Sequence, residues 1–201
     1  MRFGYWLVHS VVRLTLTVIA GFKVIGKDNL PPTGSVIVAS NHIAFLDPPV
    51  IAVSLYREAN FAAKMELFKN PIVSRLITYL NAFPVNRSGL DMAALRKSLE
   101  ALNSNGVLII FPEGTRSRIG EMLPFKRGIG YFVTKTKAAV LPLYIKGTNT
   151  FKKNLFKRGA ITVRIGESIH GLADRFTGDD RYERISEEIR KAIVRLKNQA
   201  D

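Results

Sequence analysis

The chain has no cysteine among its 201 residues. That excludes a covalent intermediate carried on a thiol, a disulfide framework and any thiolate metal site. Histidine is scarce as well, at three residues, and His9 and His170 sit outside any metal-ligand pattern, so no metal is expected. Acidic residues are few. Sixteen Asp and Glu (16) face 30 Lys and Arg, which leaves a net charge of +14 and a pI near 10.2. An excess of that size is met by something anionic, whether nucleic acid, a phospholipid surface or an acidic partner, unless the chain is simply a soluble basic protein. Also missing are the repeated uninterrupted apolar runs of a polytopic membrane protein, any internal repeat and any low-complexity tract. What remains is 47% hydrophobic, and at this length it suffices for one domain with a real core.

The most apolar stretch is 3–22. On a helical wheel Arg2, His9, Arg13 and Thr17 fall within a stripe roughly 80° wide, with Trp6 and Ser10 at its edge. Arg13 lies too centrally for a comfortable span and interrupts the apolar core that a signal peptide needs. The pattern predicts an amphipathic helix lying in a membrane interface, its polar stripe in the headgroups and Tyr5 and Trp6 near the boundary. The alternative is a helix packed on the domain's own core. Beyond it, apolar runs at 35–40, 60–63, 83–85, 107–111, 140–145 and 160–165 read as strands. Helical patterns begin at Pro48 and cover 66–80, 91–103, 128–137 and 181–198. Strands alternating with helices predict an α/β fold, a single domain with a central, largely buried sheet flanked by helices. The expected organisation is a membrane-associating helix over 1–24 and one domain over 25–201.

Two loops carry candidate chemistry. The first strand empties into Ser40-Asn41-His42-Ile43-Ala44-Phe45-Leu46-Asp47-Pro48-Pro49. On one continuous helix His42 and Asp47 would lie about 140° apart and could not touch. Asp47 precedes proline, however, and so avoids helical backbone, while Pro48 suits the first turn of a new helix. His42 to Asp47 is therefore a loop that can fold the carboxylate back onto the imidazole, as base and orienter. The plainer reading has His42 as a loop residue and Asp47 as a helix cap. The second loop, Phe111-Pro112-Glu113-Gly114-Thr115-Arg116-Ser117, follows an apolar strand and offers hydroxyls, amides and a guanidinium to an anion. Its plainer reading is a turn closed by Glu113 with Arg116 or Arg118.

Taken together, and in this order, these blocks resemble the glycerophosphate acyltransferase family, closest to bacterial 1-acyl-glycerol-3-phosphate acyltransferases. Asn81-Ala82-Phe83-Pro84-Val85-Asn86-Arg87 is similar to the family's second block, and Val140-Leu141-Pro142 to its fourth. Lys64 and Pro124-Phe125-Lys126-Arg127-Gly128 also match familiar positions. The likeness covers about residues 30 to 150, with four ordered blocks. The chain departs from the pattern at Ile43 and Ala44, where the family commonly has polar residues, and that loosens the choice of acyl acceptor.

The resemblance implies that His42 and Asp47 are catalytic, and that Lys64, Arg87, Glu113, Gly114, Thr115 and Arg116 bind substrate. It implies acyl transfer from a thioester to the free hydroxyl of lysophosphatidate, giving phosphatidate, without a resident cofactor. The donor would be acyl-CoA or acyl carrier protein, and the site of action a phospholipid surface at the cytoplasmic face of the cell membrane. Glu113 would either tie down the site or take a substrate hydroxyl. Rival readings change the acceptor (glycerol-3-phosphate, another lysophospholipid, an amino-acid lipid) or the class, to a basic nucleic-acid-binding protein. For the latter, aromatic and basic residues should interleave on a strand. Here Phe151, Leu155 and Phe156 alternate with Lys152, Lys153, Lys157 and Arg158 in an expected loop, which suits a headgroup surface.

Overall fold

The computed structural model describes residues 1–86, 89, 91–117 and 121–199. Helix α1 (Phe3–Ala20) leads into β1 (Lys23–Ile25) and β2 (Val36–Ser40), then α2 (Asp47–Ala52) and β3 (Ala59–Lys64). Next come α3 (Pro71–Tyr79), β4 (Ala82–Val85), α4 (Met92–Asn103), β5 (Val107–Ile110), α5 (Gly128–Thr136) and β6 (Ala139–Lys146). The chain closes with β7 (Thr162–Ile165), the short α6 (Leu172–Arg175) and α7 (Arg181–Asn198). Among the described residues the strands form one sheet in the order β1-β7-β6-β2-β5-β3-β4. From β6 to β4 all neighbours are parallel, and β7, paired antiparallel to β6, turns the β1 edge the other way.

A parallel sheet is covered on both faces, so its central strand is apolar throughout rather than alternating. β2 is buried at every position. Its side chains still alternate in direction. Val36 and Val38 join a core with α1 and α2, while Ile37 and Ala39 join the core built by α4, α5 and α7. All five parallel strands therefore deliver their carboxyl ends to one edge of the domain. That edge is where a doubly covered sheet ordinarily holds its ligand.

Two expectations are corrected here. The helix read over 66–80 is two pieces, a 3₁₀ turn at Met65–Phe68 and then α3. Asn70 caps the second piece, its side chain accepting from Ile72 and Val73, with Pro71 in the first turn. An Asn-Pro pair starts a helix better than it continues one. The second correction concerns α1, whose polar stripe faces the domain and not the headgroups. His9 Nε2 bonds to the Leu55 carbonyl at 2.9 Å, and Arg13 donates to the Val53 carbonyl at 3.0 Å. These carbonyls lie just past α2, where a helix end leaves acceptors unpaired. Tyr5 is buried, not at a boundary, and Val12 and Leu16 pack on the core. The outward face is apolar: Phe3, Trp6, Leu7, Val11, Leu14 and Val18 are exposed.

Arg2 clasps the start of α1 to the domain. Its guanidinium pairs with Glu58 at 2.9 Å and donates to Asn81 Oδ1 at 2.7 Å. Burial pushes the Glu58 carboxyl up, but hydrogen bonds from Arg2 and Asn81 outweigh it and hold the group below its ordinary value. A depressed carboxylate stabilises the fold above its unfolded value, and that contribution disappears as pH falls through the folded value. Acidification below the ordinary Glu range should therefore lower the hydrogen-exchange protection of the first turns of α1. Glu58→Gln should show the same loss at neutral pH, and unchanged protection in both cases would contradict the clasp.

Candidate active site

The sequence motifs converge on the carboxyl edge. His42 follows β2 and Glu113 to Arg116 follow β5, with Lys64 ending β3 and Thr148 just beyond β6. Asn41 fixes the first of these loops to β6, its side chain donating to the Ile145 carbonyl (3.0 Å) and accepting from the Ile145 N–H (2.8 Å). The loop then folds back on itself. Asp47 is fully buried, and its Oδ2 accepts from the Ile43 N–H at 2.7 Å, the Ala44 N–H at 2.8 Å and His42 Nδ1 at 2.8 Å. An oxygen that already accepts from two backbone N–H groups meets Nδ1 as an acceptor, so Nδ1 carries the proton and Nε2 is left as the basic nitrogen. The ring stacks on Phe111, centroids 4.1 Å apart.

Glu113 braces this loop from the neighbouring strand. Its Oε1 accepts from the His42 N–H at 2.8 Å and its Oε2 from the Leu123 N–H at 3.0 Å. The residue is 2% exposed, and burial pushes its carboxyl above the ordinary Glu value against the pull of those two bonds. With each oxygen accepting from a backbone N–H, Glu113 ties the His42 loop to the segment at Leu123. The Ser117 N–H adds a bond to the His42 carbonyl at 2.8 Å. Gly114 has φ +70°, and a Cβ there would lie 2.9 Å from Lys126 Nζ. The positive φ is what favours glycine at this turn, over which the Lys126 ammonium lies. Thr115, Arg116 and Lys64 are exposed at the same edge. Arg87 lies outside the described residues.

Two features escaped sequence reasoning. Thr148, 101 positions from Asp47, donates its hydroxyl to the remaining carboxylate oxygen, Oδ1. No local pattern signals a partner so distant in the chain. Its loss would leave a buried charged acceptor unsatisfied. Thr148→Val is expected to cost about 1.5–3 kcal/mol in denaturant unfolding, and Thr148→Ser to restore most of it. If both variants match the parent, the hydroxyl does not support Asp47.

The second feature is a cavity of about 760 Å³ between the sheet and helices α4 and α5. His42, Gly114 and Lys126 line it together with apolar side chains that include Phe83, Leu95 and Phe132. Its size is that of a small-molecule site.

A buried base oriented by a carboxylate, opening on an apolar cavity at the carboxyl edge of a parallel sheet, defines an α/β enzyme centre for a substrate with a long apolar part. A model of the acyltransferase family matches residues 21–146, and the chain belongs to that family. It is similar to the 1-acyl-sn-glycerol-3-phosphate acyltransferase of Bacillus subtilis, at 28% identity over 98% of both chains. The enzyme of the same name from Borreliella burgdorferi is 30% identical over 86% of this chain and 70% of its own. The crystal structure of the 1-acyl-sn-glycerophosphate (LPA) acyltransferase PlsC from Thermotoga maritima superposes with a TM-score of 0.76. That match is at 28% identity, covering 96% of this chain and 79% of that one.

Proposed function

We propose that the chain transfers a fatty acyl group from a thioester to the free hydroxyl of 1-acyl-glycerol-3-phosphate, giving phosphatidate. The observation that carries this reading is His42, held by Asp47 and opening into the apolar cavity. The names of the relatives supply the acceptor.

In this mechanism the donor's acyl chain lies in the cavity, with its carbonyl beside His42. Nε2 takes the proton of the acceptor hydroxyl while that oxygen attacks the thioester carbon. The tetrahedral intermediate then collapses, the C–S bond breaks, and the leaving thiolate takes the proton back from the imidazolium. Asp47 orients the ring and balances its charge while it is protonated. Attack is direct, so no acyl group is ever bonded to the protein. Lys126 lines the same cavity as His42, beside Gly114, and is the cation this reading assigns to the negative charge that develops on the carbonyl oxygen. The donor is a thioester of coenzyme A or acyl carrier protein, either of which is acidic and suits a net charge of +14.

Arg87 and Arg116 take the acceptor's phosphate, with Lys64 a further candidate. A guanidinium fork orients a phosphate, whereas an ammonium only attracts it. Arg116→Lys or Arg87→Lys should therefore lower kcat/KM for lysophosphatidate by about tenfold or more, the scale of one charge-assisted hydrogen bond. Turnover of a phosphate-free monoacylglycerol should change little. Equal losses on both acceptors would assign the two arginines a structural task.

The same reading sets the enzyme on a membrane surface, at the cytoplasmic face. α1 has the length and composition of a spanning helix, but its polar stripe is bonded along the domain at Glu58, Leu55 and Val53. A helix held lengthwise in this way cannot cross a bilayer while docked. It presents Phe3, Leu7, Val11, Leu14 and Val18 as a face that lies in the interface.

A further inference from the structure

A second concavity, of about 440 Å³, opens on the other side of the catalytic loop. Its wall includes Asn41 and Ile43, the two neighbours of His42, and the end of β6 at Lys146 and Gly147. The remaining wall comes from the loop ahead of β7: Asn154, Lys157 and Arg158. Lys146, Lys157 and Arg158 are cations, and no acidic residue is among the described residues that line it. The enclosure is built by close backbone approach. Gly147 has φ +91°, and a Cβ there would lie 1.7 Å from the Ala160 carbonyl oxygen. Only glycine lets the two walls meet.

The cationic loop is tied to the end of the apolar helix. The Phe156 N–H donates to the Ile19 carbonyl at 2.6 Å, and the Gly159 N–H to the Gly21 carbonyl at 2.9 Å. Between these ties Phe156 is 74% exposed, with φ +62°, and Leu155 is exposed beside it. A bulky residue rarely adopts left-handed backbone, and here the strain displays an aromatic ring to the outside. Apolar tips next to cations, at the end of a helix with an apolar outer face, are the arrangement of a protein seated where acyl chains give way to headgroups.

We infer that this pocket binds the phosphate of an anionic membrane phospholipid, through Lys146, Lys157 and Arg158, while Leu155 and Phe156 enter the acyl layer. The lipid held there is neither acceptor nor product. Because Asn41 and Ile43 form part of the wall, the bound headgroup seats the His42 loop at the membrane surface. The site rests on the membrane-surface reading above but not on the reaction. Its test reads no turnover, so its failure and the failure of the acyl-transfer reading are distinguishable.

The test uses the full chain, K157Q/R158Q, and a control pair, K191Q/R195Q, on α7 across the sheet. Sedimentation is measured with phosphatidylcholine vesicles, alone and doped with phosphatidylglycerol, at one fixed salt concentration. The pocket variant should melt cooperatively as the parent does, which reports that it is folded, and should bind the neutral vesicles equally, through α1. On doped vesicles it should lose roughly 30-fold in affinity, the scale of two cations near an anionic surface, and the control pair should lose much less. Equal losses in the two variants would overturn the site, because diffuse charge would then account for binding. Inorganic phosphate, with ionic strength held constant by chloride, separates the other source. If it raises the melting temperature of the parent and not of K157Q/R158Q, while the two bind doped vesicles equally, the pocket takes a soluble phosphate and the lipid assignment falls.

Discussion

His42→Ala should reduce turnover of lysophosphatidate by about 10²–10⁴, the usual loss when a positioned base is removed. The protein should stay folded and should sediment with vesicles as before, because alanine leaves the loop amides and Thr148 on the Asp47 carboxylate and does not disturb α1. Asp47→Asn is expected to do comparable damage for a different reason. Asp47 Oδ2 accepts from two backbone N–H groups and from the ring. An amide nitrogen turned toward any of these donors leaves it unpaired, and an amide oxygen brings no charge to balance the imidazolium. The aspartate variant should also lose stability, since Thr148 and the loop amides all close on that carboxylate. Near-normal kcat in either variant would remove the dyad from the mechanism.

The second large effect concerns the cavity. Ser98 is buried on α4 and lines it, its hydroxyl donating to the Ala94 carbonyl at 2.8 Å within the helix. Ser98→Phe fills part of the space that the acyl chain would use. A chain shut out by about four methylenes forfeits about 0.8 kcal/mol for each. The sum, about 3 kcal/mol, corresponds to roughly two orders of magnitude in kcat/KM. Long-chain donors should suffer that loss, while donors short by those methylenes should keep most of their activity. A uniform decline across chain lengths would place the acyl group elsewhere.

What could be read from the sequence was local. The unbroken apolar run of β2 announced a strand covered on both faces, and Pro48 announced a helix start, although α2 begins one residue earlier, at Asp47, and the loop is His42 to Leu46. The motif at Phe111 to Ser117 was visible because strand, turn and polar cluster are contiguous. What could not be read depends on partners far along the chain. The stripe of Arg2, His9 and Arg13 was plain on the wheel, yet nothing local said that its partners were Glu58, Leu55 and Val53. A polar face is satisfied equally by water, headgroups or stranded carbonyls, and only the fold chooses. Thr148 and the cavity between α4, α5 and the sheet were hidden for the same reason. The two backbone N–H groups that Glu113 accepts from, at His42 and Leu123, were equally out of sight. The break at Asn70-Pro71, by contrast, is local, a capping side chain followed by proline in the first turn.

The central claim is direct acyl transfer to lysophosphatidate by His42 and Asp47. It is tested most directly by mass spectrometry of purified protein with lysophosphatidate vesicles and an isotopically labelled acyl thioester, offered as both the coenzyme A and the carrier-protein form. The account predicts labelled phosphatidate from at least one donor, none from His42→Ala, and no labelled acyl group on the intact protein. Label retained on the protein, or no phosphatidate from either donor while another acceptor is acylated, would contradict it.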